Sequence, residues 1–202
     1  LFASQSGDYF NFDVGTGAAN DSIQTILASD QLNEVNHIIS NKGLSIFTSG
    51  GEFIVLQEAG TPLTPTNIQI ERITSYGSTR VSPYICNGNT FFVQRNGRTI
   101  RAVETSGQSA FVPADISIRS SHLINNPVDS SSFNGSNTRP EEFVYYVNAD
   151  GTVGVFHTAI GESIACWVLW DNTDQTAGQH GYLKAVKSIS SDYSVSGAGN
   201  AS

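Results

Sequence analysis

Six acidic residues, Asp8, Asp13, Glu52, Glu104, Asp150 and Asp171, give this sequence its broadest chemical reach. A glycosidase needs only two carboxyl groups about 5 to 10 Å apart, one protonating the leaving oxygen while the other attacks or activates water. Neighbouring strands could supply such a pair. Most of the six, however, lie at turns or in alternating polar stretches, where a solvated carboxylate is the ordinary outcome. The histidines His37, His122, His157 and His180 form no HExxH and no pair at helical spacing. A zinc site would therefore need distant residues to converge. No serine sits in a GxSxG elbow. Asp171-Asn172-Thr173-Asp174 opens like a calcium loop but lacks the glycine and final glutamate of the EF-hand. Gly15-Thr16-Gly17 lacks the third glycine of a dinucleotide site. The residues assign no catalytic group, no cofactor and no metal ligand, and the expectation is a non-enzyme.

Arg95 and Arg98 remain. They flank Asn96-Gly97, a dipeptide that suits a tight hairpin, so both cations are expected across from each other at one turn. Like charges in that position destabilise a hairpin unless an acidic group faces them. Two arginines splayed into water are the plain reading; in a chain of net charge -8 the facing acid can instead belong to another copy, which makes Arg95 and Arg98 the candidate subunit contact.

The elements that must position these residues are strands. The 202 residues are 39% apolar and only 14% charged, with 19 glycines, a mixture of strand formers and turn formers. At this length folding buries roughly 70% of the unfolded surface, enough for a real core. The acidic balance argues against a dedicated nucleic-acid binder. No apolar run reaches the 18 or so residues of a membrane span. Cys86 and Cys166 each sit in an apolar run and read as buried thiols.

Strand and turn patterns recur at short intervals and group into fours. The first group, 22–57, comprises Ser22 to Ala28, Val35 to Ser40, Leu44 to Ser49 and Glu52 to Gln57. Gly50-Gly51 forms its last turn, and Ser29-Asp30 offers a short helix as the alternative near its start. The second, 67–104, comprises Asn67 to Thr74, Ser82 to Asn87, Thr90 to Arg95 and Arg98 to Glu104. A proline-bearing loop, Thr61 to Thr66, marks the boundary between the two. The third, 143–189, comprises Phe143 to Asn148, Thr152 to Thr158 across the Asp150-Gly151 turn, Ser163 to Trp170, and Tyr182 to Ile189. The Ser-, Asn- and Pro-rich stretch 105–142 reads as a surface excursion. Positive φ is expected at the Gly50-Gly51, Asn96-Gly97 and Asp150-Gly151 turns. Runs such as Phe91-Phe92-Val93, Phe143 to Val147 and Ala165 to Trp170 are apolar on both faces, which predicts strands sandwiched between sheets, with Phe92, Tyr146 and Trp167 buried. The expected fold is all-β and β-propeller-like, built from antiparallel four-stranded meanders.

Several of these words also resemble a known family. GDYFNF (Gly7 to Phe12), IFTSGGEF (Ile46 to Phe53), PLTPTNI (Pro62 to Ile68) and FFVQRNGR (Phe91 to Arg98) occur in the order found in phage tail nozzle proteins. That family is also called tail tubular protein B or the tail hub proteins. The resemblance runs from about Leu1 to His122, with a looser pattern beyond Arg139. It implies that these 202 residues are a fragment of a longer virion protein in the phage tail. It further implies a ring-shaped homo-oligomer, a hexamer in characterised relatives, that meets adaptor and fibre proteins and lets DNA pass through its lumen without specific binding. Two other readings stand beside it: a glycan-binding or glycan-degrading β-propeller tail protein, and a host extracellular β-protein. Sequons at Asn20, Asn134 and Asn200 would serve the last only in a chain secreted by a eukaryotic cell.

Overall fold

β-Branched and aromatic runs separated by Gly, Asn and Asp leave the backbone few options except short antiparallel strands. The computed structural model is all-β. It describes residues 1–27, 33–41, 43–56, 60–86, 88–103, 113–135, 141–159, 164–170 and 186–191. The chain divides into two compact units, Leu1–Ser78 and Thr79–Ser202.

In the first unit a two-stranded ribbon, β1 (Phe2–Ala3) with β2 (Ile23–Gln24), precedes a four-stranded antiparallel meander. The meander comprises β3 (Val35–Ser40), β4 (Leu44–Thr48), β5 (Glu52–Leu56) and β6 (Gln69–Thr74) in that order. Ile46, Phe53 and Val55 form its core, with Leu1, Leu27, Leu44, Leu63, Ile68 and Ile70 packed against them. Phe47, Glu52 and Ile54, on the opposite face by register, are also buried.

The second unit carries two more meanders. One is β7 (Tyr84–Cys86), β8 (Asn89–Val93), β9 (Ile100–Val103) and β10 (Pro113–Asp115). The other is β11 (Asp129–Phe133), β12 (Glu142–Val147), β13 (Val153–Ala159) and β14 (Ile164–Trp170). A single 3-10 turn, Ser121–Leu123, lies between them in the chain. The two sheets share one core: Cys86, Phe91, Val93, Ile100 and Ala102 from one, Val144, Tyr146 and Phe156 from the other, with Ile124 from the connection and Trp167 at its margin. Phe91 and Phe156 meet at 5.5 Å, and Phe156 and Trp167 at 5.1 Å, the offset geometry aromatic rings prefer. One side of this sandwich is laced by Tyr84 Oη donating to Ser130 O and Ser130 Oγ donating to Ser82 O. Trp167 Nε1 donates to Ile116 O at 2.9 Å.

The three meanders are present, but their strands are grouped differently from the expectation. β2 pairs with β1 rather than opening the first meander, and Gln69–Thr74 closes that meander instead of starting the next. The Thr61 to Thr66 loop is thus internal to one sheet. The stretch 105–142 is no surface excursion where it is described: it provides β10 and β11, and Ser117, Ile124 and Ser130 are buried. Ser130 and Ser131 can occupy a sheet because their hydroxyls are hydrogen bonded. Of the strand expected from Tyr182 to Ile189, residues 186–189 have no strand pairing, Val186 N donating instead to Gly151 O, and 182–185 fall outside the described residues, as do Ser29-Asp30 and residues 192–202.

The turns lie where expected, with different geometry. Asn96-Gly97 sits in a four-residue loop, 95–98, closed by Gln94 N to Thr99 O and Gly97 N to Gln94 O. Only Gly97 has positive φ there, at 67°. Gly151 has φ of 87° in a three-residue loop between Asn148 and Thr152. These are four- and three-residue loops with a single left-handed glycine each, not two-residue type I′ turns. Gly50 and Gly51 do not have positive φ. Their need for glycine is spatial: a Cβ on Gly51 would lie 2.6 Å from Thr74 O, and one on Gly50 would overlap the Asn33 side-chain amide.

Candidate functional site

The hairpin loop 95–98 presents both sequence-derived contact residues. Arg95 and Arg98 are exposed, flanking Asn96, whose Oδ1 accepts from Arg98 N at 2.9 Å. The loop is held from below by Asn126, whose N donates to Gly97 O at 2.8 Å. Asn125 then joins two hairpins. It accepts from Arg98 Nη2 at 3.5 Å and donates through Nδ2 to Asp150 Oδ2 at 3.0 Å. An acidic group does stand near Arg98, relayed by one amide and supplied by the same chain. Asp150 also accepts from Thr152 Oγ1 and Thr152 N. These bonds, Asn125 first, hold its carboxyl below the usual carboxylate range. Asp150 is therefore a turn-stabilising anion rather than a proton donor.

The other carboxylates also serve structure. Asp21 Oδ2 accepts from the backbone N of Thr16, Gly17 and Ala18, and Asp13 Oδ1 accepts from Gly15 N, folding the segment that contains Gly15-Thr16-Gly17. Asp8 Oδ1 accepts from Phe10 N. Glu52 is buried and accepts from Thr74 Oγ1. Glu104, Asp171 and His180 fall outside the described residues. Among the described residues no group of three or more His, Cys, Asp or Glu is placed to hold a metal ion. No helix there is long and apolar enough to cross a membrane.

Sequence reasoning missed a cluster at the margin of the shared core. Cys86 is 1% exposed, and its thiol donates to Glu142 Oε2 at 3.0 Å. Burial, then Glu142, raises its pKa far beyond the usual thiol range. It is thus a protonated, inert group at neutral pH. Tyr146 is buried behind it, its hydroxyl without a hydrogen bond among the described residues, and burial drives its pKa strongly upward.

Cys166 differs from the expectation of a buried thiol: it is exposed on β14, with Sγ 3.8 Å from His157 Nδ1. His157 stacks on Phe143 at 4.5 Å and 11°, and Tyr145 contacts Trp170 at 5.5 Å. Register places Phe143, Tyr145, His157, Cys166, Val168 and Trp170 on the sheet face opposite the shared core. Phe92 and Tyr146 are each 1% exposed, as the sequence suggested, but Val168 is 47% and Trp170 53% exposed. β14 is not sandwiched. Among the described residues it is an edge strand, and Val168 and Trp170 lie exposed on a face whose Val147, Val153 and Val155 are buried, with Phe143, Tyr145, Val186 and Ile189 packed against them.

No protein-family model matches this chain, and no curated protein matches it.

Proposed function

We propose that this chain is part of a ring-forming structural protein of a bacteriophage tail nozzle, through which DNA leaves the virion, and that it is not an enzyme. The observation that carries the reading is the ordered set of nozzle-like words, Gly7 to Phe12, Ile46 to Phe53, Pro62 to Ile68 and Phe91 to Arg98. Three successive antiparallel four-stranded meanders support it, because each is the size of one propeller blade. The role is mechanical and electrostatic. A ring of chains with net charge -8 repels phosphates, so DNA slides through without sticking. A closed ring uses two different patches of each subunit. The exposed Arg95 and Arg98 are one candidate patch, meeting an acidic surface on the next copy. Adaptor and fibre proteins are the other partners, and the virion is the location.

Mass spectrometry of purified phage particles, with electron microscopy of the purified protein, tests this reading. The expected result is virion-bound protein and rings. A protein missing from virions and monomeric when concentrated would refute it. The second reading, a glycan-binding or glycan-degrading tail protein, is favoured by the exposed Trp170 beside the half-buried Tyr145, since sugar rings pack on aromatic faces. Saturable quenching of tryptophan fluorescence by an oligosaccharide, lost in Trp170→Ala, would move it ahead.

A further inference from the structure

A sheet edge is a row of backbone donors and acceptors that will pair with any extended chain unless something prevents it, and among the described residues the other edges of the three meanders are protected. β7 and β10 have three residues each, and β10 begins with Pro113. β6 carries Glu71 and Arg72, and β3 is broken by a bulge between Val35 and His37. The β11 edge is polar and is met by residues 186–191: Ile189 N donates to Asp129 Oδ2, and Ser191 N to Ser131 Oγ.

Among the described residues β14 has none of these protections. It runs seven residues, Ile164–Trp170, with no charge, proline or glycine. Among the described residues its backbone pairs only with β13. Ala165, Cys166, Val168 and Trp170 are exposed, and Trp170 meets the half-buried Tyr145, where the face passes into the buried Val147, Val153 and Val155.

We propose that β14 is a docking edge for a second copy of this chain, which adds an extended strand to the sheet and covers Val168 and Trp170. Main-chain hydrogen bonds would supply affinity and the aromatic face the buried area. The choice of a second copy rests on the ring reading above and on charge. Copies of net charge -8 repel one another, and a seven-residue edge without an ionisable acid lets them approach with least repulsion.

Cys166 makes the edge testable without mutation, because the buried Cys86 thiol will not compete for a thiol reagent. N-ethylmaleimide labelling of the purified chain is followed by mass spectrometry in dilute and in concentrated solution, with sedimentation velocity reporting assembly. The expected result is concentration-dependent assembly in which Cys166 labelling slows by about tenfold once nine-tenths of the molecules are assembled. Val168→Lys should abolish assembly, restore labelling at every concentration and leave the circular-dichroism melt of the dilute protein unchanged. Assembly with Cys166 labelled at the dilute rate would overturn the proposal while leaving the ring reading standing. A chain that stays monomeric when concentrated would also overturn it, and virion composition then decides the ring reading separately.

Discussion

The two edges of the second sheet in the Thr79–Ser202 unit solve the same problem in opposite ways. β11, Asp129–Phe133, is nearly all polar, and residues 186–191 bond to its side chains and to Ser132 O. β14, Ile164–Trp170, is apolar and bare among the described residues. β11 borders β12 and β14 borders β13, the two paired central strands of one sheet, so sheet chemistry alone does not set the difference. An edge sealed from within completes a fold, whereas an edge left apolar and open exposes surface that a partner can bury.

The comparison can be broken at several points. The largest effect belongs to the core both edges frame: Phe156→Ala removes a ring that touches Phe91 and Trp167 and should destabilise by about 3 to 5 kcal/mol in urea denaturation. An unchanged midpoint would mean that the two sheets do not share a core. Next is the sealed edge. Asp129→Ala deletes the acceptor for Ile189 N and should cost about 1 kcal/mol, with faster proteolysis near residues 186–191. At the open edge, Trp170→Ala should shift the dilute protein by less than about 0.5 kcal/mol, since the ring is more than half exposed. A large loss there would show that Trp170 is internally packed and the contrast false.

The smallest effect is electrostatic. Asp150's folded pKa is lowered from 3.8, so its contribution is present above that value and is lost as pH falls through the lower folded value. Being largely exposed, it is screened, and Asp150→Asn should remove only a few tenths of a kcal/mol of acid-dependent stability. Melting curves of both proteins between neutral pH and the acid limb check the sign.

Much of this contrast is invisible in the sequence, for physical reasons. Strand-and-turn periodicity locates Phe91-Phe92-Val93 and the loops at Gly97 and Gly151 because those depend on local backbone preference. It does not say which sheet a strand joins: Gln69–Thr74 returns to β5 through the long-range pairing of Ile70 with Val55. Polar edge strands such as Asp129–Phe133 look like loops, since an edge needs little apolar burial. Conversely, the two-faced apolar pattern of β14 reads as a buried strand, when it equally describes one awaiting a partner. Arg95 and Arg98 were legible as turn cations, but the Asn125 relay to Asp150 joins residues 27 and 25 positions apart, beyond any local motif.

Hydrogen-deuterium exchange, compared between dilute and concentrated protein, tests the central contrast most directly. The account predicts that the β11 segment is equally protected in both, while outward-facing β14 amides exchange freely when dilute and become protected on assembly. Assembly without added protection in β14, or β14 already protected in the monomer, would contradict it.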